Sequence, residues 1–231
     1  MTLRTLIAAH ILAFAAAGLS AQTFDPASVA EDLSSADTRR VQNARDDAVA
    51  YLGNPDLSVS DRLAAVQALD APIAEAAESD DEFVVTNALL IAGQFVTPTG
   101  FQILTDHLDA DSPSIRYAAY RGLRSSFAIL ADQSAPSLQP SAAQSAFSRL
   151  VEAVGTESDA NTLEAGYRAI AEALTVTASP LKPLESAAGV ALGRLAADRM
   201  GQLDALDESD YARTLGSSLY AALEYRRLLS T

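Results

Sequence analysis

Apolar side chains in this chain recur at helical rather than alternating spacing. From Ser112 to Leu130 the residues Ile115, Ala119, Leu123, Phe127 and Leu130 stand three or four positions apart, one face of a helix. Pro113 suits the first helical position, and Ser112 before it is a candidate cap. Thr97-Pro98 opens the preceding segment in the same way, and Phe101, Leu104 and Leu108 follow at helical spacing. The two segments predict a helical hairpin. The same periodicity predicts helices at about 27–36, 38–53, 59–78 with a break at Pro72, 82–95, 139–154, 158–175, 183–199 and 209–229. Gly53-Asn54-Pro55, Glu78–Glu82, Asp132–Pro140 and Ser179-Pro180 supply the turns between them. Phe83–Ile91 is apolar enough for a buried strand, but Asn87, Ala88 and Gly93 fit a strand poorly, so it is assigned as a helix buried on most sides.

Alanine and leucine dominate, tryptophan is absent, and β-branched residues rarely cluster, so local propensity agrees with an all-α fold. A weak internal repeat follows from aligning Ala88, Ala119, Gly166 and Gly216, one small residue at the centre of each hairpin's second helix. Val84, Ile115, Thr162 and Ala212 stand four before these anchors, and Ala92, Leu123, Ile170 and Tyr220 four after. A small residue at that place lets a neighbouring helix approach closely while the flanking apolar side chains fill the seam.

In the hairpin around Ala119 the pattern sharpens to Asp111, Ser112, Pro113, Ser114, Ile115, Arg116, Ala119 and Leu123. This resembles the HEAT-repeat signature, an Asp followed after a short gap by Val-Arg and then by Ala and Leu. The resemblance covers residues 80–175 and departs from the pattern in two copies. Val85 stands at the arginine position after Asp80 and Val84, and Leu163 stands there in the next copy, where Asp159 is displaced by one. It implies a short right-handed stack of about five antiparallel helix hairpins, a HEAT-like α-solenoid. The anchor spacings of 31, 47 and 50 residues are irregular, which keeps an irregular helical bundle as the alternative. The resemblance also implies a protein- or peptide-binding scaffold whose second helices line the concave side. Because some HEAT-like proteins are bilin lyases, it supplies an enzyme alternative as well.

The amino terminus carries a different signal. Arg4 precedes an apolar run from Leu6 to Leu19 that only His10 interrupts, followed by Ser20-Ala21 and the polar Gln22-Thr23. The run is shorter than the roughly 20 residues that span a bilayer, and its pattern is that of a signal peptide. Residues 1–21 are therefore expected to be removed, leaving an exported 22–231 domain with no stable membrane anchor. Mass spectrometry of the extracytoplasmic protein is expected to find Gln22 as the first residue; an intact Met1 on cytoplasmic protein would overturn this. Cleavage removes Arg4 and no acid, leaving 15 basic against 30 acidic side chains, a net charge of −15. Phosphate backbones are repelled by such a surface, so nucleic acid is not an expected partner. The absence of cysteine excludes disulfides, thiolate chemistry and zinc–thiolate sites.

Candidate chemistry is sparse. His107, in Thr105-Asp106-His107-Leu108-Asp109, is the one histidine after residue 21; a position near a helix end favours it through the helix dipole. Asp109-Ala110-Asp111 begins like a calcium loop, but the sixth and twelfth positions hold Ser114 and Tyr120 where glycine and glutamate are needed. No Gly-x-Ser-x-Gly elbow and no glycine-rich phosphate loop occurs. No catalytic, cofactor-binding or metal-ligating residue is assigned, and a cell-envelope hydrolase or lyase using paired carboxylates in a helical cleft is the rival to a binding module. The expected working surface is Tyr117, Arg121 and Arg124, which lie at helical spacing away from the Ile115, Ala119 and Leu123 stripe. On an acidic protein this is a basic and aromatic spot of the kind enriched at interface hot spots.

Overall fold

The computed structural model describes residues 24–132, 140–177, 179–202 and 208–228. The expected signal peptide and most of the Asp132–Pro140 turn lie outside the described residues. Ten α-helices occur among those described: α1 (Pro26–Leu33), α2 (Thr38–Leu52), α3 (Val59–Ala77), α4 (Glu82–Ala92), α5 (Pro98–Asp106), α6 (Pro113–Ala131), α7 (Pro140–Thr156), α8 (Ala160–Ala173), α9 (Pro183–Met200) and α10 (Glu208–Leu228), with a short 3-10 turn at Ser179–Leu181 before α9. Consecutive helices pair as five hairpins. The even-numbered helices stack on one another in chain order, as do the odd-numbered ones. The chain is thus an all-α stack of helix hairpins, a HEAT- or armadillo-like architecture with two layers. Phe83–Ile91 lies within α4, whose Val84, Val85, Asn87, Ala88, Leu89, Ile91 and Ala92 are all buried.

Capping sets where the helices begin. Asp25, Asp37, Ser58, Asp81, Thr97 and Asp159 each accept a hydrogen bond from an amide of the first turn, as short polar side chains do at that position. Ser112 takes the capping position of α6, but its side chain accepts no such bond. Pro72 does not break α3, which runs through it unbroken to Ala77. The carbonyl left without a donor is that of Ala68, an exposed residue, where solvent can take the place of the missing amide. Helix α4 ends at Ala92 rather than at 95, because the chain reverses from Gly93 to Thr97 through Val96 at φ 50, a left-handed conformation that a β-branched residue rarely adopts.

The repeat alignment maps onto the buried face of the even-numbered helices. Ala88, Ala92, Ala119, Leu123 and Ile170 are all 0% exposed, and Gly166 lies against Val154 of α7. The last copy departs from it. Gly216 and Ala212 are exposed, and α10 instead turns Thr214, Ser217 and Ser218 inward. A close backbone approach in this layer lies at Gly93 and Gly122: a Cβ added to Gly93 would stand 2.6 Å from the Gly122 Cα. The buried Ser126 hydroxyl donates to the Gly93 carbonyl at 2.9 Å and locks this crossing of α4 over α6.

Because Ala119 is fully enclosed whereas Ala142, near the start of α7, is half-buried, Ala119→Leu is expected to lose about 1 to 3 kcal/mol more than Ala142→Leu. Equal shifts of the two urea midpoints would contradict this placement of the seam.

Along one edge of the stack, polar side chains tie successive hairpin turns together. The two ring nitrogens of His107 lie 2.8 Å from the Ile103 carbonyl and 3.0 Å from the Ala77 carbonyl, joining the ends of α5 and α3. Arg116 bonds the Ala110 and Asp111 carbonyls and reaches Glu157 in the next hairpin; Arg199 bonds the Glu157 carbonyl at 2.7 Å from the hairpin after that. On the opposite edge the buried Arg62 donates to the carbonyls of Leu52 and Asn54. Burial without a carboxylate lowers the Arg62 pKa from the usual arginine value.

Candidate binding groove

The exposed faces of α4, α6 and α8 form two adjoining grooves on the even-numbered layer. The first, of about 410 Å³, includes Thr86 and Leu90 of α4, Tyr117, Ala118 and Arg121 of α6, and Asn161 at the start of α8. The second, of about 380 Å³, continues it with Arg124 of α6 and Glu164, Ala165 and Arg168 of α8. Tyr117, Arg121 and Asn161 line both. Tyr117 is 39% exposed. The three residues singled out in the sequence therefore share one exposed concavity, which also holds Arg168.

Counting from the seam anchors explains this arrangement. Two positions after Ala88, Ala119 and Gly166 stand Leu90, Arg121 and Arg168; two positions before them stand Thr86, Tyr117 and Glu164. A residue two positions from a seam residue lies about 200° around the helix, so it faces away from the seam and into the groove. Successive hairpins thus present one rung that reads Leu90, Arg121, Arg168. The anchors already place Arg168 in register with Arg121, whereas Asn161 and Tyr220 have no comparable sequence signal.

The arginines differ in what holds them. Arg124 pairs with Glu172 at 3.1 Å, and Arg168 pairs with Glu164 one turn away at 2.7 Å, with its guanidinium 5.1 Å from the Tyr220 ring centroid. The hydrogen bonds it donates to Glu164 hold the Arg168 guanidinium above its ordinary pKa. Burial, with Glu224 adding to it, pushes the Tyr220 phenol up. Arg121 has no carboxylate partner among the described residues. Its guanidinium lies 5.9 Å from the Tyr117 ring centroid, within cation–π range and open to solvent.

The other candidate groups are occupied in holding the fold. Glu157 is 4% exposed; both its oxygens accept from the Arg116 fork at 2.8 Å, and one also accepts the backbone amides of Ser158 and Asp159. Burial alone would push the Glu157 carboxyl up, but the Arg116 fork and the backbone amides outweigh it and hold the pKa below the usual range. Asp159 is held down first by the Thr162 amide, which it accepts as the cap of α8. Asp109 is exposed and pairs with Arg149 at 3.3 Å. Among the described residues no three His, Asp or Glu side chains converge in the manner of a metal site, and no helix is long and apolar enough to cross a membrane.

No family model matches the sequence, and no curated protein is similar to it. Solved structures similar to the chain include engineered proteins. A designed armadillo repeat protein in complex with the peptide (KR)4 is 13% identical, with a TM-score of 0.45 over 85% of this chain and 98% of that one. Computationally designed armadillo repeat proteins for modular peptide recognition give 14% and 0.43 over the same shares. A further engineered protein gives 18% and 0.46 over 86% of this chain and 98% of that one. The architecture described above rests on the chain's own packing.

Proposed function

We propose that the protein is an exported, non-enzymatic binding module that takes a protein or peptide segment on its even-numbered helices, at the groove of Tyr117, Arg121, Arg124 and Arg168. The observation that carries this reading is Arg121, a solvent-open guanidinium over an aromatic ring where two grooves meet, without a carboxylate partner among the described residues. Arginine and tyrosine in a concave setting are the residue types on which interfaces concentrate their affinity. The rival carboxylate enzyme has less support. It needs an acid raised toward working pH, and Glu157 and Asp159 are both held down by structural hydrogen bonds.

Display selection of random peptides on the protein tests the reading, with affinities then measured for Arg121→Glu/Arg124→Glu. Selected peptides are expected to bind this variant at least about tenfold more weakly, which corresponds to about 1.4 kcal/mol, while its melting temperature stays within a few degrees of the parent. Undiminished binding would discard the groove. A large fall in melting temperature would make the two arginines structural instead.

A further inference from the structure

Resting on that reading, the groove's own chemistry specifies what kind of segment fits it. The three equivalent positions on α4, α6 and α8 are Leu90, Arg121 and Arg168, an apolar side chain followed by two cations. Together with Leu90, Ala118 and Pro113 line the first groove. These three side chains carry no charge and suit an apolar side chain, and the carboxylate that also lines this groove, Asp159, is engaged by the Thr162 amide and hydroxyl. One layer further, Arg121 offers two or more N–H donors to a planar acceptor, in a groove that Asn161 also lines. We infer that the groove takes an extended peptide segment in which an apolar residue seats against Leu90 and an Asp or Glu two to three residues away pairs with Arg121.

The spacing follows from the layer geometry. Packed helices lie about 8–10 Å apart, and an extended chain rises about 3.3 Å per residue, so one layer corresponds to roughly two to three residues of ligand. The acidic character of the whole chain, −14 overall, does not override the groove's local sign. At physiological ionic strength charges are screened beyond about 8 Å, so the field a bound carboxylate meets is set by Arg121 and its immediate neighbours. Arg168 is the weaker second cation, because Glu164 already pairs with it. One acid in the ligand is therefore required and a second adds less.

The test uses the peptides selected on the whole protein and a charge-swap cycle. The inference expects the selected sequences to be enriched in an apolar residue two to three positions from an Asp or Glu. Changing that acid to Lys is expected to weaken binding at least tenfold, and Arg121→Glu to do the same with the original peptide. The Lys peptide with Arg121→Glu is expected to recover most of the loss, a result that general damage to the protein does not give. Leu90→Asp is expected to reduce affinity for the original peptide and to leave the acid-to-Lys penalty unchanged. If the selected peptides lose binding to Arg121→Glu/Arg124→Glu but carry no acid, or if the charge swap recovers nothing, the inferred ligand class is wrong while the groove remains the binding surface. If they bind both proteins equally, or if no peptide is selected, the class and the groove fall together.

Discussion

Arg116→Met is expected to destabilise the protein by about 3 kcal/mol, because it leaves Glu157 buried and charged without its fork. The Glu157 side chain is 1% exposed and that of Arg116 16%, so water replaces little of what the guanidinium supplies. For a chain of this size the loss corresponds to a fall in melting temperature of roughly 6 to 12 °C. The pH dependence separates this cause from lost packing. The folded pKa of Glu157 is depressed below its ordinary 4.5. Its stabilising contribution is therefore fully present above that value and is lost as the pH falls through the folded pKa. In the variant only the Ser158 and Asp159 amides hold the buried carboxylate, so protonation removes less than it does in the parent. The gap in stability between parent and variant is expected to be widest near neutral pH and to narrow as the pH falls below 4.5. A gap of constant size across that range would mean that Arg116 acts through its aliphatic stem alone. Glu157→Gln is expected to cost less than Arg116→Met, since the amide keeps one oxygen for the Ser158 and Asp159 amides.

How far the sequence revealed this arrangement depends on the range of the interaction. The helices were legible because their determinants are local: Pro at first positions, Asp, Ser and Thr at caps, and apolar side chains at three- and four-residue spacing. The exceptions were local too. Pro72 reads as a break, yet its neighbour Ala68 is exposed, so a missing backbone bond costs too little to end α3. The seam was legible wherever a layer lies on both sides, as at Ala88 and Ala119. At Gly216 the alignment matched residue type without an enclosing neighbour, since a Cβ there would meet nothing within 4 Å. Arg116 was legible as the signature arginine, but its partner Glu157, 41 positions away, was not, because no periodicity links a helix side chain to a distant turn. In the groove the opposite holds. Tyr117, Arg121 and Arg124 were found from one helix, and Arg168 stood at the equivalent position of the next anchor. Nothing in the sequence indicated that Arg124 and Arg168 would be paired and Arg121 left without a carboxylate among the described residues.

The glycines at the crossing of α4 and α6 give the other large effect, and a non-additive one. A methyl group on Gly93 would lie 2.6 Å from the Gly122 Cα and 2.7 Å from its carbonyl oxygen, both backbone atoms that cannot rotate aside. A methyl group on Gly122 would lie 2.9 Å from the Leu89 carbonyl oxygen and would also crowd the Leu104 side chain. Either change forces the two helices apart, so Gly93→Ala and Gly122→Ala are each expected to cost about 2 to 3 kcal/mol, at the upper end of overpacking. The gain of roughly 1 kcal/mol from replacing a helical glycine by alanine offsets part of the strain at Gly122, which lies inside α6. Gly93 caps α4 and has less of that gain. Gly93→Ala is therefore expected to be the more damaging. Once the first methyl group has separated α4 from α6, much of the space the second needs is already open. The double variant is expected to lose about 1 kcal/mol less than the sum of the two, a coupling that contacting residues show and distant ones do not. Urea midpoints of the parent, the two single variants and the double variant measure it. Losses that add in full would mean that each glycine answers to a different neighbour, and a neutral Gly93→Ala would mean that the crossing of α4 over α6 is looser than the 2.6 Å approach requires.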